Sequence, residues 1–307
     1  MELRQLRYFV RVVDLGSMGQ AAAELGVVTS TLSQQISRLE NELSTRLLQR
    51  TKAGVRPTSA GLAFFQQAQL ALRHADEAAR AAQHARLSGH VSMGLTPSVA
   101  GVLGLPFMRA MRNRYPDIRL RVVENLSGSL NSMLASRQID LAVLYDVTRT
   151  QHFSVTRLLT ERLYVIGASH SEFLPRDGPL SLVNLCSLPL VLPSNSHRLR
   201  SLIDEAFARI GHKPNVVAEI DGLAMLMEAV GDGFGFTVQP GAALARHTDP
   251  RFLAREVIDE DFHRSSHLAS LSDDELSPAG HAARIVLVET ARELVQSGGW
   301  TGAAIAL

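Results

Sequence analysis

The sequence predicts a small all-α domain at the N-terminus, followed by a larger domain of the α/β class. Apolar residues recur at three- and four-residue steps over about the first 45 residues, and an alanine-rich stretch without proline follows them. From about residue 90 onward, short apolar strands alternate with helical segments, which favours an α/β fold with mainly parallel sheets. A chain of 307 residues is long enough for two or three domains with cores of their own.

The composition is that of an ordinary soluble globular protein, with 46% hydrophobic and 20% charged residues. No uninterrupted apolar run approaches the ~18 residues of a membrane span, and the N-terminus, MELRQLRYFV, lacks the residue order of a secretion signal. The one cysteine, Cys186, excludes an intrachain disulfide and a cysteine-built metal cluster, and its apolar context predicts a core position. We therefore expect a cytoplasmic protein that has no membrane partner.

The net charge of +1 hides an uneven distribution of charge along the chain. Residues 1–86 contain 11 basic and 7 acidic residues, whereas the remaining 221 residues contain 20 and 23. Of the 31 basic residues, 29 are arginine, whose planar fork matches phosphates and guanine edges. The excess at the front favours a nucleic-acid partner, although a solvated surface with a compositional bias of the genome explains the charge alone equally well.

A helix-turn-helix pattern opens the chain. The first helix has one apolar face and ends at Gly16 as its C-cap, and Ser17 then begins a second helix as its N-cap. Gly26 makes a tight turn before a third helix, which runs from about Thr29 to Leu43. The apolar stripe of the third helix has steps of four, three and four: Leu32, Ile36, Leu39 and Leu43.

The opposite face of the third helix is rich in short polar side chains. Hydroxyls are poor helix formers, so helix propensity does not explain them, but hydroxyls and amides bind phosphates and base edges in a major groove. The predicted DNA-binding residues of this helix are Thr29, Ser30, Thr31, Ser33, Gln34 and Arg38. An ordinary three-helix bundle with a polar surface is the alternative interpretation.

A basic hairpin is expected directly after the third helix. Two short extended pieces flank a turn at Gly54 and would form a wing beside the helix. Arg50, Lys52 and Arg56 lie on this hairpin, where they would bind phosphate.

A long helix is predicted from Ser59 to Leu87. It carries an apolar stripe at steps of four and three, made mostly of alanine, that we call the alanine seam: Phe64, Ala68, Ala71, Ala75, Ala78, Ala82 and Ala85. Alanine buries little area but allows two helices to approach closely, so the seam favours helix-to-helix association. A lone alanine-rich helix is the alternative.

The C-terminal part is predicted to have two lobes, because about 215 residues are many for one sheet. The chain is expected to cross between the lobes near Arg157–Leu163 and near His263–Leu271, and the final helix then returns to the first lobe. Strands are predicted at VSMGLT, IRLRVVEN, DLAVLYD, RLYVIGAS, LPLVLPS, NVVAEI and GFTVQP, and helices at 105–115, 128–138, 198–210, 222–231 and 280–296.

Small polar residues follow three of the predicted strands, each just before a helix. Ligands of such sheets bind beyond the carboxyl ends of the strands, and helix N-termini there favour a small anion such as a carboxylate. Plain N-capping would also explain each hydroxyl taken alone. The predicted effector-binding residues are Thr96, Ser98, Asn125, Ser127, Ser194, Asn195, Ser196 and His197.

The sequence predicts no catalytic residue, no metal site and no cofactor. The glycine-rich GDGFGF follows a helix and lacks phosphate-binding spacing, so we interpret it as a helix end that leads into a strand. His263 and His267, in HRSSH, have a four-residue step but lack the glutamate of a metalloprotease motif, and a solvated strand or loop is the better interpretation.

The stretch from Leu3 to Gly61 resembles, nearly continuously, the N-terminal domain of the LysR-type transcriptional regulators. Within the chain, RTKAGVRPTSAG and LVLPSNSHRLRSLIDEAF resemble the nitrogen-assimilation-control subgroup of that family. One departure is that family members usually carry Ser-Gln-Pro where this chain has Val28-Thr29-Ser30. This difference moves the predicted N-cap of the third helix onto Thr29. Base contacts from the start of that helix are therefore expected to differ from the family's usual ones.

The resemblance implies a winged helix-turn-helix at 1–58, a dimerising linker helix at 59–88 and a periplasmic-binding-protein-like effector domain at 89–307. Lobe I would comprise 89–160 and 269–307, and lobe II 161–268. The expected partners are double-stranded DNA, a small anionic effector, further copies of the chain in a dimer or tetramer, and RNA polymerase if the protein is an activator. The competing interpretation is a solute-binding or enzymatic α/β protein with an unrelated helical leader.

Overall fold

The computed structural model describes residues 1–51, 54–83, 87–145, 153–245, 250–259 and 261–306, with the side chains of all but 50, 51 and 77–83. The described chain forms two compact units, Met1–Gly89 and His90–Leu307. The elements of the first unit are α1 (Leu3–Leu15), α2 (Met18–Glu24), α3 (Thr29–Glu42), β1 (Leu48–Thr51), β2 (Gly54–Pro57) and α4 (Ser59–Gln83).

The turns of the first unit follow the predicted caps. Gly16 adopts the left-handed conformation, with a φ of 60°, and ends α1. The Ser17 hydroxyl accepts a hydrogen bond from the backbone N–H of Gln20 and caps α2. The prediction of Thr29 as the N-cap of α3 is wrong, because the backbone is still extended at Val28 and Thr29 is already the first helical residue. Val28 therefore occupies the cap position without a side-chain hydrogen bond.

The alanine seam of α4 is partly buried within the chain itself. The Phe64 ring packs edge-on against Phe9 of α1, with 5.3 Å between the ring centroids, and Ala68 is buried. Ala71 is exposed and Ala75 half-buried. The side chains of Ala78 and Ala82, and all of Ala85, lie outside the described residues. Only the part of the seam from Ala71 onward is thus accessible among the described side chains.

The second unit contains the α/β part of the chain. Its strands are β3 (Gly89–Leu95), β4 (Ile118–Glu124), β5 (Leu141–Tyr145), β6 (Phe153–Ala168), β7 (Leu190–Leu192), β8 (Val216–Glu219), β9 (Thr237–Pro240), β10 (Phe252–Glu256), β11 (His263–Leu271) and β12 (Ala303–Ile305). Its α-helices are α5 (Pro97–Val99), α6 (Leu105–Arg114), α7 (Ser127–Ala135), α8 (Arg198–Arg209), α9 (Leu223–Gly231) and α10 (Pro278–Gln296).

Two long strands organise this unit. The main sheet has the order β10-β6-β11-β5-β3-β4, and both predicted crossings fall within β6 and β11. The first half of β6 pairs with β11 and β12, whereas its second half pairs with β9 and β10. All four of these pairings are antiparallel, so the expectation of mainly parallel sheets is wrong for this region. The chain passes from one predicted lobe to the other along β6 and returns along β11, so these two neighbouring strands run in opposite directions.

The helices of the second unit largely follow the sequence pattern. The predicted helix at 105–115 is observed as α6, with Pro106 in its first turn, and it continues a helical run that begins at Pro97 and passes through a π-turn at Ala100–Gly104. Helix α10 packs against α6, as predicted for the return of the chain. Cys186 is only partly buried, against the edge of an apolar core. Among the described helices, none is both long and apolar enough to span a bilayer.

Candidate nucleic-acid interface and ligand cleft

The polar face of α3 is accessible in the first unit. Leu32, Ile36 and Leu39 are buried, which turns the opposite side chains outward. Five predicted residues of that face are exposed, namely Thr29, Ser30, Thr31, Gln34 and Arg38. Ser33 is half-buried and lines a hollow between α3 and the hairpin. Ser37, which the sequence analysis did not select, is also exposed.

Strands β1 and β2 form the predicted hairpin, which we call the wing. Gly54 has a φ of 122°, and a Cβ there would lie 2.5 Å from the carbonyl oxygen of Gly16. The neighbouring Val55 donates its N–H to the same oxygen, so the wing rests on the turn between α1 and α2. Arg56 is exposed on β2. The side chain of Arg50 and all of Lys52 lie outside the described residues.

A buried carboxylate joins α3 to the wing. Glu40 is 5% exposed and accepts hydrogen bonds from the backbone N–H groups of Leu47 and Leu48, at 2.8 and 3.0 Å. Its other oxygen accepts from the guanidinium of Arg46 at 3.2 Å. The sequence analysis did not predict a structural role for Glu40. An acidic residue directly after Leu39, on the apolar side of α3, could have indicated a buried carboxylate.

The second unit contains a cavity of about 490 Å³. Five of the predicted effector residues line it: Thr96, Ser98, Ser127, Ser196 and His197. The other three predicted residues, Asn125, Ser194 and Asn195, are not among the lining residues. Asn125 Oδ1 accepts from the N–H of Leu126, and the Ser194 hydroxyl lies 2.8 Å from that of Ser196, so both side chains have partners within the protein.

Two of these hydroxyls are held in place by hydrogen bonds. Ser98 Oγ accepts from the guanidinium of Arg264 at 2.8 Å, and Ser127 Oγ accepts from the backbone N–H of Tyr145 at 3.2 Å. A hydroxyl that accepts one hydrogen bond keeps its own proton for another partner. Ser127 is also the first residue of α7, where backbone N–H groups have no partner within the helix. Both serines can therefore donate to an acceptor in the cavity.

A buried ionic cluster lies behind the cavity. Glu161 is fully buried and accepts from Tyr145 Oη at 2.8 Å, Arg264 Nε at 3.0 Å and Trp300 Nε1 at 2.9 Å. The Arg264 guanidinium stands 3.9 Å from the centroid of the Tyr145 ring. Burial is the main reason why the pKa of Tyr145 is raised, so its hydroxyl stays protonated and donates.

The opposite wall of the cavity carries His197 and Asp221. Burial lowers the pKa of His197, and the charge of Arg264 lowers it further, while Asp221 opposes them. The backbone N–H of Ser194 donates to Asp221 Oδ1 at 2.8 Å and lowers the pKa of that carboxyl, which is therefore ionised at neutral pH. His263 and His267 lie on β11 and also line the cavity. Among the described residues, no group of three or more His, Cys, Asp and Glu could hold a metal ion.

The two units match two models of one protein family. Residues 3–62 match the model described as "Bacterial regulatory helix-turn-helix protein, lysR family", and residues 84–292 match "LysR substrate binding domain". The chain belongs to the LysR family of transcriptional regulators. It is therefore a DNA-binding regulator with an effector-binding domain and not an enzyme, and the alternative of a solute-binding or enzymatic α/β protein with an unrelated helical leader is not supported.

Named relatives agree with this membership. The chain is 36% identical to the nitrogen assimilation regulatory protein nac of Escherichia coli (strain K12), over 79% of each chain, which confirms the predicted subgroup resemblance. It is 32% identical to the regulator BbuR of Bordetella bronchiseptica, over 76% of this chain and 72% of the relative.

Solved LysR-family structures share the fold. A full-length OxyR variant from Pseudomonas aeruginosa superimposes with a TM-score of 0.74 at 23% identity, over 95% of each chain. Full-length CbnR in complex with its target DNA gives a TM-score of 0.65 at 20% identity, over 95% of this chain and 99% of that chain. At these identities the likeness shows the fold alone.

Because Glu161 is buried and paired, we expect its replacement to destabilise the regulator far more than the replacement of a more exposed glutamate. Glu161→Ala would leave the guanidinium of Arg264 buried without its carboxylate, and we expect the free energy of unfolding to fall by about 3–5 kcal/mol. Urea unfolding, followed by the fluorescence of the single tryptophan, Trp300, measures this loss. Glu256→Ala is the matched control, because Glu256 pairs with the mostly exposed Arg162 and should cost less than ~1 kcal/mol. Equal losses for both variants would contradict the role of Glu161.

Proposed function

We propose that α3 enters the major groove of duplex DNA and that the wing follows the adjacent backbone. The exposed polar face of α3, opposite its buried apolar stripe, carries this proposal. Thr29, Ser30, Thr31, Ser33, Gln34 and Arg38 would contact bases and phosphates from the helix. Arg50, Lys52 and Arg56 would contact phosphate from the wing, since cationic side chains commonly bind the DNA backbone.

Replacing Arg56 by alanine tests the phosphate contact. A lost phosphate contact weakens binding to all DNA sequences by a similar factor and reduces the slope of log affinity against log salt by about one unit. Fluorescence anisotropy with an operator and with a scrambled duplex, at several salt concentrations, measures both quantities. Arg119→Ala is the control, because Arg119 is an exposed strand arginine in the second unit. A loss confined to the operator would assign Arg56 to base contact instead.

We also propose that the cavity binds a small-molecule effector with a carboxylate, between the two lobes expected from the sequence. The hydroxyls of Ser98 and Ser127 support this, since each accepts one hydrogen bond from the protein and keeps a proton for the ligand. A cavity of about 490 Å³ lies within the usual range for small-molecule sites. Thr96, Ser196 and His197 lie along the same walls.

Ser98→Ala should reduce effector affinity by about 0.5–1.5 kcal/mol for a neutral hydrogen bond, and by more for a bond to a charged group. Thermal-shift screening of small carboxylates, followed by calorimetry with any carboxylate that raises the melting temperature, provides the measurement. Ser132→Ala is the control, because Ser132 lies on α7 and its hydroxyl donates to the helix backbone at Gly128. A Ser98→Ala variant with unchanged affinity would remove Ser98 from the site.

The third part of the proposal concerns assembly. We propose that α4, within the predicted linker 59–88, joins two chains into a dimer through the exposed part of the alanine seam, and that two dimers can form a tetramer. Such a regulator would act in the cytoplasm on the DNA that it binds, and would contact RNA polymerase if it activates transcription. Ala75 is the half-buried alanine among the described residues of the accessible part of the seam.

Ala75→Glu should convert dimers or tetramers into smaller species, because two glutamates would meet in a narrow interface. Sedimentation velocity over a range of protein concentrations measures the change. Ala63→Glu is the control, since Ala63 is an exposed alanine of the same helix outside the seam. If Ala75→Glu leaves the oligomer intact, the seam is not the interface.

A further inference from the structure

The charged residues that line the cavity are of both signs, and they define the ligand more closely than the serines alone. This inference rests on the proposed effector site. Two arginines line the cavity, and each already has a carboxylate of the protein: Arg264 binds Glu161 and Arg198 binds Glu205. Asp221 is the one carboxylate among the lining residues, and it is exposed. Among the described residues, no arginine or lysine lies within ion-pair distance of it.

Asp221 also lies opposite the donors of the cavity. Ser98 and Ser127 belong to α5 and α7, which follow β3 and β4, whereas Asp221 lies between β8 and α9. The charges of Arg264 and Asp221 both act on His197, with opposite effects on its pKa. Both walls line one cavity of about 490 Å³, so a small molecule inside it can contact residues of both.

Apolar side chains line the cavity on the segments next to Asp221. Ile220 precedes it, Leu223 follows it by two residues, and Leu226 lies one helical turn further along α9. Leu199 and Leu202 of α8 add to the same lining. A ligand with a cationic group at Asp221 can therefore pack an apolar group against these side chains.

We propose that the effector is an apolar α-amino acid. Its carboxylate accepts from the hydroxyls of Ser98 and Ser127, its ammonium group binds Asp221, and its side chain packs against the leucines of α8 and α9. An amino acid carries its ammonium and its side chain on one carbon atom, which matches the adjacency of Asp221 and the apolar wall. A carboxylic acid without the amine would place no cation beside Asp221.

Matched pairs of ligands test this proposal on the full chain. L-phenylalanine is compared with 3-phenylpropanoate, and L-leucine with 4-methylpentanoate, by calorimetry and by the fluorescence of Trp300, which shares Glu161 with Arg264. We expect each amino acid to bind at least about tenfold more tightly than its partner without the amine. Asp221→Asn keeps an oxygen for the N–H of Ser194 but loses the charge, and should remove this preference.

Asp232→Asn is the control variant, because Asp232 is an exposed residue at the end of α9 that does not line the cavity. It should bind each ligand as the unaltered chain does. If the amine-free acids bind as well as the amino acids, and Asp221→Asn changes nothing, the amino-acid proposal is overturned while the carboxylate site remains. If no ligand of either kind binds, the proposed effector site fails as well.

Discussion

The arrangement of the second unit depends on one fully buried carboxylate, that of Glu161. An ionised group without access to water must have its partners supplied by the protein, and here these are a guanidinium, a phenol and an indole. Tyr145 ends β5, Arg264 lies on β11 and Trp300 follows α10. The same interaction therefore fixes both crossing strands and the C-terminal segment, and it positions Arg264 to bind Ser98 at the cavity.

The first unit uses the same physical device on a smaller scale. Glu40, at the end of α3, is buried and binds two backbone N–H groups at the start of the wing. The helix that presents the polar face and the hairpin that presents Arg56 are thus joined by a charge-assisted contact, which is stronger than a neutral hydrogen bond. Gly61 allows α4 to lie close to the same segment, because a Cβ at this position would be 2.0 Å from the carbonyl oxygen of Leu47.

The charged residues at the cavity of the second unit include an arginine that is already paired with a carboxylate of the protein. The hydroxyls and helix N-termini of the predicted site favoured a small anion. In the structure the charge of Arg264 is compensated by Glu161, and Asp221 adds an anion to the opposite wall. The hydroxyls of Ser98 and Ser127 therefore share the cavity with charges of both signs, and this arrangement underlies the proposal of a ligand that carries both charges.

The sequence by itself determined the features that depend on near neighbours. Helix periodicity, the caps at Gly16 and Ser17, and hydroxyls at strand ends arise from contacts within a few residues, and they predicted α3, the wing and most of the cavity's serines. The tertiary structure decided the antiparallel pairing of the crossing strands and the pairing of Glu161 with Arg264, which is 103 residues away. It also excluded Asn125 from the cavity. No local pattern encodes such pairings, because they exist only once distant segments pack together and water is removed from between them.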